Sequence, residues 1–421
     1  MNIWYMHHYA TPYSIPGLHR PFEFGKYFIE NDNEMTVFSS SYLHYDDKNM
    51  IDDKSKYIVK NYDGVNTVFV KTCGYSNSGM KRVVNMAQFY FGVIKSAKAY
   101  AKTNGKPDVI VASSPHPFTM MAGIKLAKKY KVPCICEVRD FWPEVFFFGG
   151  RLKETSLLGK VLLRGERWIY EKCNSLVFLK EGDYTYISDH KWDVDNGGKI
   201  PLTKCNYINN GVDIKTFDAQ LKEQNEAENE FEGKFIVTYC GTIRPVNNVE
   251  MLLDVAKLLD DDTVILIYGA GSCVEDIKKR IEDENITNVK LMGYVDSKYV
   301  PGILSRSSVN ILNYTAKNYN WSRGNSSNKL FEYLASAKPV ISNVKMGYDI
   351  LEKYSCGLSV ADCTAENVAD AIKQVKNMSL EEYNTLCANA RKAAEDFDIP
   401  KLAADYMKVI ENAKENYKKE K

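Results

Sequence analysis

The sequence lacks the features of membrane-spanning and secreted proteins. No apolar run approaches the ~18 residues that cross a bilayer. The first residues contain no basic segment followed by a cleavage site, so we expect no signal peptide. The 10 cysteines are scattered without a CxxC cluster, which favours reduced thiols in a cytoplasm. We therefore expect a cytoplasmic protein without transmembrane segments.

Signatures of several enzyme classes are also missing. A GxSxG elbow and a Walker A loop are absent, which excludes serine hydrolase and P-loop assignments. No His, Asp or Glu pattern has the spacing of metal ligands, and Asp260-Asp261-Asp262 is more typical of a solvated turn. Gly269-Ala270-Gly271 lacks the third glycine of a dinucleotide fingerprint, because Val274 occupies that place. A loop beside a different nucleotide fits Gly269 equally well. From these absences we expect that the protein needs neither a metal nor another cofactor.

The net charge is low but unevenly divided. Residues 1–200 contain 27 Lys and Arg against 21 Asp and Glu, whereas the remainder contains 28 against 33. The basic bias of the first part favours an anionic partner such as a membrane surface or a lipid diphosphate, although chance explains it too. It is too dispersed to indicate nucleic-acid binding.

A chain of 421 residues is too long for one compact core, so two or three domains are expected. Short β-rich runs alternate with helical stretches, which is typical of parallel sheets with crossover helices. The predicted strands are Asn2–Met6, Met35–Ser39, Thr67–Lys71, Asp108–Ser113, Pro133–Val138, Ser175–Leu179, Phe235–Cys240, Thr263–Tyr268, Asn288–Leu291, Val309–Asn313 and Pro339–Asn343. The predicted architecture is α/β, with two doubly wound domains, 1–200 and 201–399, facing a cleft. A last helix at about 400–421 could pack back on the first domain.

Ligands of open parallel sheets bind beyond the carboxyl ends of strands, and three charged residues follow one such end. Arg139 and Asp140 come directly after a strand, with Glu144 one turn later. Beside the rings of Phe141 and Trp142 they indicate sugar recognition, although a structural Arg–Asp pair explains two of them as well.

Two further positions follow strand ends in the first half of the chain. Gly17 lies in the first strand-to-helix loop, where a missing Cβ lets the backbone approach a phosphate, or where the residue is a plain turn glycine. His116 lies between two prolines after a strand, either facing a ligand or as a loop histidine without one.

The segment Gly324–Ile341 predicts a helix that begins among the N-cap residue types of 325–328. The backbone N–H groups at such a start, around Asn328, suit an anion such as a diphosphate. Glu332, one or two turns in, is placed to bind a ribose. The alternative is an ordinary amphipathic helix with a Lys329–Glu332 surface pair.

Several motifs occur in order from one end of the chain to the other. They are His7-His8-Tyr9 with Gly17 and Arg20, 113–118 (SSPHPF), 137–144 (EVRDFWPE), 209–213 (NNGVD) with Phe217, 239–244 (YCGTIR), 269–271 (GAG) and the helix described above. Together they resemble the retaining family-4 glycosyltransferases of the GT-B fold, in particular the L-fucosamine transferases of surface-polysaccharide assembly.

The resemblance implies two Rossmann-like domains around a central cleft, the first for the acceptor and the second for a nucleotide-sugar donor. It implies metal-independent transfer of a hexosyl group from a nucleotide diphosphate, most simply UDP, with retention of configuration. The acceptor would be a lipid-diphosphate-linked precursor of a lipopolysaccharide or capsule glycan, at the inner face of the cell membrane. An epimerase or hydrolase of the same fold, or a non-catalytic nucleotide-binding scaffold, are the alternatives.

The resemblance also implies roles for individual residues. Those implied to bind the donor are Gly17, Arg244, Gly269, Asn328, Lys329 and Glu332. Those implied to face the reacting sugar and the acceptor are His116, Arg139, Asp140 and Glu144. Within the donor set, Glu332 would hold the ribose.

The sequence departs from the family pattern at two places. The family has an Arg directly after a glycine and a Lys before a second glycine, where this chain has Thr242 and Asn247. We therefore assign the phosphate role to Arg244, with Lys329 as an additional or alternative cation.

The second departure concerns a pair of glutamates that the family spaces eight positions apart. Glu332 matches the second, but Gly324 stands at the first. Arg323, Asn325 or a backbone amide would then have to hold the donor sugar.

Overall fold

The computed structural model describes residues 1–76, 78–222, 231–317 and 319–419. The chain divides into two compact units, the first made of Met1–Asn209 with Pro400–Lys421 and the second of Asn210–Ile399. Among the described residues, no helix has the length and apolar content needed to cross a membrane.

The first unit is built on one large sheet with helices on both faces. Its strands are β1 (Asn2–His7), β2 (Glu34–Ser40), β3 (Tyr42–Leu43), β4 (Lys48–Asn49), β5 (Tyr57–Tyr62), β6 (Val65–Val70), β7 (Val109–Ser113), β8 (Cys134–Val138), β9 (Ser175–Phe178) and β10 (Cys205–Tyr207). Its helices, numbered along the whole chain, are α1 (Arg20–Glu30), α2 (Gly79–Asn104), α3 (Pro117–Tyr130), α4 (Trp142–Phe148), α5 (Leu157–Lys172), α6 (Thr185–Asp189) and α15 (Ile399–Lys419).

Eight strands of the first unit form a sheet in the order β10-β9-β8-β7-β1-β2-β6-β5. Neighbouring strands are parallel except for the β5–β6 hairpin. Central strands such as β1 and β7 are almost wholly buried, which explains their continuous apolar sequence. Because the carboxyl ends of β8, β7 and β1 are neighbours, the residues that follow them share one edge of the sheet.

The second unit is a parallel six-stranded sheet in the order β13-β12-β11-β14-β15-β16. Its strands are β11 (Phe235–Cys240), β12 (Thr263–Tyr268), β13 (Val289–Gly293), β14 (Val309–Leu312), β15 (Val340–Ser342) and β16 (Gly357–Ser359). Its helices are α7 (Ile214–Gln220), α8 (Met251–Ala256), α9 (Val274–Asp283), α10 (Val300–Arg306), α11 (Asn328–Ala335), α12 (Ile350–Tyr354), α13 (Ala365–Lys376) and α14 (Leu380–Asp396). The predicted α/β architecture with two Rossmann-like parallel-sheet domains is confirmed.

Candidate active site

In the second unit, the loops that follow β11 and β12 run in close contact. The N–H of Gly241 donates to the carbonyl of Tyr268 (3.0 Å), and the N–H of Ile243 donates to that of Ala270 (3.0 Å). A Cβ at Gly269, whose φ is +139°, would lie 1.9 Å from the Gly241 oxygen. Gly269 is therefore required for this close backbone approach, and its predicted contact with the donor stays a prediction.

Lys329 of α11 extends across this pair of loops. Its alkyl chain lies over Gly241, where an added Cβ would be 2.5 Å from the lysine Cδ. Its Nζ donates to Tyr239 Oη and to Asn247 Oδ1, both at 3.1 Å. The same ammonium lies 4.8 Å from the ring centroid of Tyr239 and 5.1 Å from that of Tyr314. The ammonium group thus faces the end of β11, and not a surface partner on its own helix.

Lys329 carries its positive charge without an ion-pair partner among the described residues. Burial lowers the pKa of Lys329 to about 8, although Cys240 and Glu332 act to raise it. A half-buried ammonium with only neutral hydrogen-bond partners is a group that an anionic ligand would stabilise.

The start of α11 is held in place by the surrounding loops. Its N-cap is Ser327, whose side chain makes no capping hydrogen bond. Asn325 Oδ1 accepts from the Ser327 N–H (2.8 Å), and Asn210 Nδ2 donates to the Ser326 carbonyl (2.7 Å). Asn328, the first helical residue, is exposed. The first-turn N–H groups are therefore positioned without a side-chain cap, an arrangement suited to an external anion.

Tyr333 attaches the other side of α11 to the sheet. Its hydroxyl accepts from the Cys240 N–H (2.9 Å) and donates to the Cys240 carbonyl (3.0 Å). Leu330 and Leu334 are buried, whereas Glu332 is half-buried. This orientation keeps Lys329 and Glu332 away from the core.

Arg244 lies on an exposed loop after β11. The loop is ordered by Asn247, whose Nδ2 donates to the Thr242 carbonyl (2.6 Å) and hydroxyl (3.0 Å). Asn247 thus uses its amide nitrogen for the loop and its oxygen for Lys329. Asn247, which stands where the resembled family has a lysine, is the residue that accepts a hydrogen bond from the Lys329 ammonium.

Gly324 has a φ of +107°, in a region that side chains with a Cβ rarely adopt. The backbone at this position therefore favours glycine, and a glutamate here would be strained. The flanking residue Arg323 is buried, and Asn325 is half-buried.

In the first unit, hydrogen bonds join Asn85, His8 and His116 into a chain. Asn85 Nδ2 donates to the Cys73 carbonyl, which leaves Oδ1 as the atom that faces His8 Nε2 (2.7 Å). His8 must then donate from Nε2, so its Nδ1 accepts from His116 Nε2 (2.7 Å). The Nδ1 atom of His116 is consequently left as a hydrogen-bond acceptor.

The buried polar atoms without a hydrogen-bond partner among the described residues include three side-chain nitrogens at this edge: His7 Nε2, His116 Nδ1 and Arg139 Nη1. They follow or end β1, β7 and β8, whose carboxyl ends are adjacent. Buried polar atoms in proteins are nearly always paired, so a group of three without partners is what a polar ligand would satisfy. This edge brings the predicted residues His116 and Arg139 together.

A buried ion pair lies beneath the same edge. Arg20 Nε donates to Glu137 Oε2 (2.9 Å), while Tyr5 and Ser113 donate to Oε1 (2.7 and 2.6 Å). Arg20 also donates to the carbonyls of residues 208–209 (2.8 and 2.7 Å). This network ties β1, β7 and β8 to the end of β10, and it makes Glu137 a structural residue that the sequence did not single out.

Arg139 interacts electrostatically with Glu137 of this network. Burial alone would raise the pKa of Glu137, but Arg20 and Arg139 outweigh it and lower that pKa to about 2. The Arg139 N–H donates to Ser114 Oγ (2.8 Å). Asp140 is exposed, and the salt bridges of the described residues do not include an Arg139–Asp140 pair. The structural-pair alternative is therefore not formed.

The aromatic residues that follow have different positions. Phe141 is buried and stacks on Tyr186, with ring centroids 4.0 Å apart, so it belongs to the core and does not offer a face to a sugar. Trp142 is half-buried and packs edge-on against Phe146 (5.0 Å). Glu144 lies half-buried in the first turn of α4. The predicted sugar platform is thus reduced to Trp142.

Gly17 has a structural reason for lacking a side chain. A Cβ there would lie 2.0 Å from the Thr11 hydroxyl oxygen. Thr11 is paired with Leu18 through the backbone (3.1 Å), which closes the loop after β1. The turn-glycine alternative accounts for this position, and its predicted phosphate contact stays a prediction.

Metal-ligating geometry does not occur in the described part of the chain: no group of three or more His, Cys, Asp or Glu side chains is arranged to hold an ion.

Comparison with known proteins finds a family match that lies within the second unit. Residues 221–393 match the sequence profile of the family described as "Glycosyl transferases group 1". The poly(ribitol-phosphate) alpha-N-acetylglucosaminyltransferase of Staphylococcus aureus (strain COL) is 26% identical over 223 residues, covering 51% of this chain and 40% of that protein. The putative teichuronic acid biosynthesis glycosyltransferase TuaH of Bacillus subtilis (strain 168) is 25% identical over 204 residues, covering 48% of this chain and 50% of that protein. The chain thus spans about half the length of the curated relatives it matches.

Solved structures resemble the chain over nearly its whole length. Sucrose-phosphate synthase from Thermosynechococcus elongatus superposes with a TM-score of 0.70 at 15% identity, covering 98% of both chains. HepE of Anabaena in complex with UDP superposes with a TM-score of 0.69 at 13% identity, covering 98% of this chain and 100% of that chain. WaaG, a glycosyltransferase involved in lipopolysaccharide biosynthesis, superposes with a TM-score of 0.67 at 14% identity, covering 97% of this chain and 99% of that chain. At these identities the similarity establishes the fold: the chain has the GT-B fold, as the motifs implied.

Proposed function

We propose that the chain is a glycosyltransferase that moves a hexosyl group from a UDP-sugar to a lipid-diphosphate-linked glycan precursor, with retention of configuration. The group 1 profile on residues 221–393 and the glycosyltransferase names of the curated relatives support the reaction class. The assignment to the retaining family-4 enzymes and to their fucosamine transferase subgroup is part of this proposal.

The observation that carries the proposal is the position of Lys329. Its ammonium has only neutral partners, and it lies beside the glycine loops that follow β11 and β12. It extends from the first turn of a helix whose N-cap residue forms no side-chain cap. A diphosphate would receive charge-assisted hydrogen bonds from Lys329 and backbone N–H groups from the start of α11.

The same arrangement accounts for the family cations that the chain lacks. Asn247 replaces one of them and orients the Lys329 ammonium at 3.1 Å. Arg244, exposed on the loop after β11, supplies a second positive charge as the leaving diphosphate forms. The two cations make a metal unnecessary, and we expect transfer to persist in the presence of EDTA.

Glu332 would bind the ribose hydroxyls, since it lies on the same helix one turn beyond Asn328. The donor sugar would be held by Arg323, Asn325 or a backbone amide near Gly324. The HepE structure contains UDP, which supports a uridine nucleotide for this chain as well.

On the first unit, the reacting sugar and the acceptor would meet the edge that carries His116 and Arg139. The Nδ1 of His116 would accept a hydrogen bond from a hydroxyl group, and Arg139 would donate one to a sugar or phosphate oxygen. Asp140 and Glu144 would bind further hydroxyls. In the reaction, the bond from the anomeric carbon to the phosphate oxygen breaks as that carbon bonds to the acceptor oxygen on the same face. The departing phosphate takes the acceptor proton.

The product would be an intermediate of a cell-surface polymer such as a lipopolysaccharide or capsule glycan, assembled at the cytoplasmic face of the membrane. The curated relatives are named for a poly(ribitol-phosphate) and for teichuronic acid, which supports surface-polymer assembly as the setting.

Mass-spectrometric transfer assays with a panel of nucleotide sugars and lipid-diphosphate acceptors test the proposal. We expect one UDP-sugar to be used, and Glu332→Ala to reduce its kcat/KM by about tenfold or more, since a hydrogen bond to a charged group is lost. Glu275→Ala, which removes an exposed glutamate from α9, is the matched control.

The outcomes of this assay are distinct. Full activity of Glu332→Ala with UDP donors would contradict the ribose role. Sugar isomerised or released without any acceptor would identify an epimerase or a hydrolase. UDP binding without turnover of any donor would identify a scaffold.

A further inference from the structure

The first unit exposes an unusual number of large apolar side chains on one short stretch. We call this stretch, with its side chains, the α4–α5 surface. Its apolar members are Val145, Phe148, Leu157, Leu158, Val161 and Trp168, all exposed. Leu157 is 83% exposed and Trp168 is 41% exposed. A soluble helix normally turns such residues toward the core.

The geometry of α5 places its apolar side chains directly outward. The buried face of this helix includes Gly159, Glu166 and Ile169. Leu157, Val161 and Trp168 follow at i, i+4 and i+11, which puts them on the opposite side. These three residues form an apolar stripe along α5. The stripe is a second face of the helix, in addition to the face that packs on the rest of the unit.

The helix that carries the stripe is firmly held. Ser156 Oγ accepts from the Gly159 N–H (3.1 Å) and caps the helix start. A Cβ at Gly159 would lie 2.5 Å from the Lys153 carbonyl oxygen, so the preceding turn packs closely against α5. Glu166 accepts from the Tyr170 and Tyr186 hydroxyls (2.9 and 2.6 Å) beneath it. The outward stripe is thus part of a rigid element.

The rim of the stripe is positively charged. Arg151, Lys153, Lys160 and Arg164 are all exposed on this stretch, against Glu154 as an exposed acid. Apolar groups flanked by Lys and Arg fit a surface that offers acyl chains below a layer of negative charge. A tryptophan at the edge of the stripe is typical of the membrane–water interface.

We infer that the α4–α5 surface docks on the surface of an anionic lipid bilayer. Leu157, Val161 and Trp168 enter the boundary between head groups and acyl chains, and the basic rim binds lipid phosphates. The charge complementarity favours anionic lipid over a protein partner or a second copy of this chain. The inference goes beyond the proposed function, because it holds for any donor and acceptor.

Flotation of the full chain with vesicles tests this inference. We expect binding to phosphatidylcholine vesicles only when they contain phosphatidylglycerol, and weaker binding at high salt because the basic rim is screened. We expect Leu157→Glu to lower the fraction bound about tenfold, since an apolar side chain is replaced by a charge that the lipid repels.

Leu380→Glu is a closely matched control. Leu157 follows the N-cap Ser156, and Leu380 follows the N-cap Ser379 of α14 in the second unit. Their exposed fractions are 83% and 76%. A glutamate suits the first turn of either helix, so both variants should fold. The double variant Lys160→Gln, Arg164→Gln should also lose binding to phosphatidylglycerol.

Several outcomes would overturn the inference. One is equal binding of the wild type to vesicles with and without phosphatidylglycerol. Another is an equal loss of vesicle binding in Leu157→Glu and Leu380→Glu. The third is no loss of vesicle binding in Leu157→Glu. A dimer that dissociates in Leu157→Glu, seen by analytical ultracentrifugation, would assign the surface to a second copy. Because transfer to a water-soluble acceptor analogue should be unchanged in Leu157→Glu, failure of this inference is distinguishable from failure of the proposed function.

Discussion

Three buried histidines, His7, His8 and His116, are uncharged in the folded chain. Burial lowers the pKa of His7 and of His116 to about 3, and it lowers that of His8 as well. The hydrogen-bond direction that begins at Asn85 then fixes which nitrogen of His116 accepts. A histidine that presents an acceptor selects ligands with a hydroxyl or N–H donor, which a sugar provides.

These histidines make stability depend on pH in a defined direction. Their pKa is lower in the folded chain than in the unfolded chain, so the unfolded chain binds more protons between about pH 6.5 and 3. The stability that depends on these uncharged histidines is fully present above about pH 6.5. The free energy of unfolding then decreases as the pH falls below that value. We expect His116→Asn to reduce the loss of unfolding free energy between pH 7 and 5 by up to about 2 kcal/mol.

Urea denaturation of the wild type and of His116→Asn at the two pH values measures this effect. His190→Asn, which changes a half-buried histidine near the surface, is the control. The same pH dependence in wild type and His116→Asn would contradict the account of this histidine.

At the residue scale, the sequence predicted positions better than it predicted partners. His116 and Arg139 could be found because they follow strands of a parallel sheet. The burial of Phe141 against Tyr186 could not, because the two rings meet only after α5 and α6 have packed. Glu137 was missed since its partners Tyr5, Arg20 and Ser113 lie on other elements, β1, α1 and β7.

Among the elements, α11 and the loop before it combine an uncapped helix start with a left-handed glycine. Gly324 has φ +107°, four residues before Asn328 begins the helix. The backbone there is suited to glycine, so a glutamate at this position would be strained. Under the proposed function, the donor sugar would be held by other groups of the same loop.

A stability measurement tests this account of Gly324. We expect Gly324→Ala to lower the free energy of unfolding by about 1–2 kcal/mol, because L-residues are strained at this φ. Gly165→Ala in the exposed middle of α5, where an added Cβ meets nothing within 4 Å, should instead stabilise by up to about 1 kcal/mol. Equal effects of the two substitutions in thermal unfolding would show that Gly324 is not conformationally required.

Continuous apolar runs made the central strands predictable, and β11 and β12 have the predicted bounds. The edge strand β5 was missed because Lys60 and Asn61 interrupt its apolar sequence and residues 59–61 are exposed. A signal was nevertheless present: Asp63 and Gly64, with φ of 49° and 87°, form the two-residue turn that joins β5 to β6. Asp-Gly between strand-like runs is a strong hairpin indicator.

At the scale of the whole molecule, the chain returns to its first unit after completing the second. Tyr406 of α15 is buried and packs edge-on against Phe24 (5.5 Å) and Phe28 (6.1 Å) of α1. Lys414 also pairs with Asp108 (3.1 Å). Each unit thus has its own sheet and core, and each carries one set of the candidate residues at the carboxyl ends of its strands.

What the sequence could not supply at this scale is the meeting of distant segments. Lys329 and Asn247 lie 82 positions apart, and their contact depends on β11, β14 and α11 all being in place. The sequence predicted Lys329 as a cation for phosphate, but not the hydrogen bonds that orient it.

Calorimetric titration of the full chain with UDP tests the central claim most directly. We predict that the wild type binds UDP and that Lys329→Met binds it about tenfold or more weakly, because a charge-assisted hydrogen bond is lost. Lys278→Met, on the exposed face of α9, should bind as the wild type does. Since the pKa of Lys329 is about 8, wild-type affinity should also fall above pH 8, and that of Lys329→Met should not. Unchanged affinity in Lys329→Met, or no UDP binding by the wild type, would contradict the account.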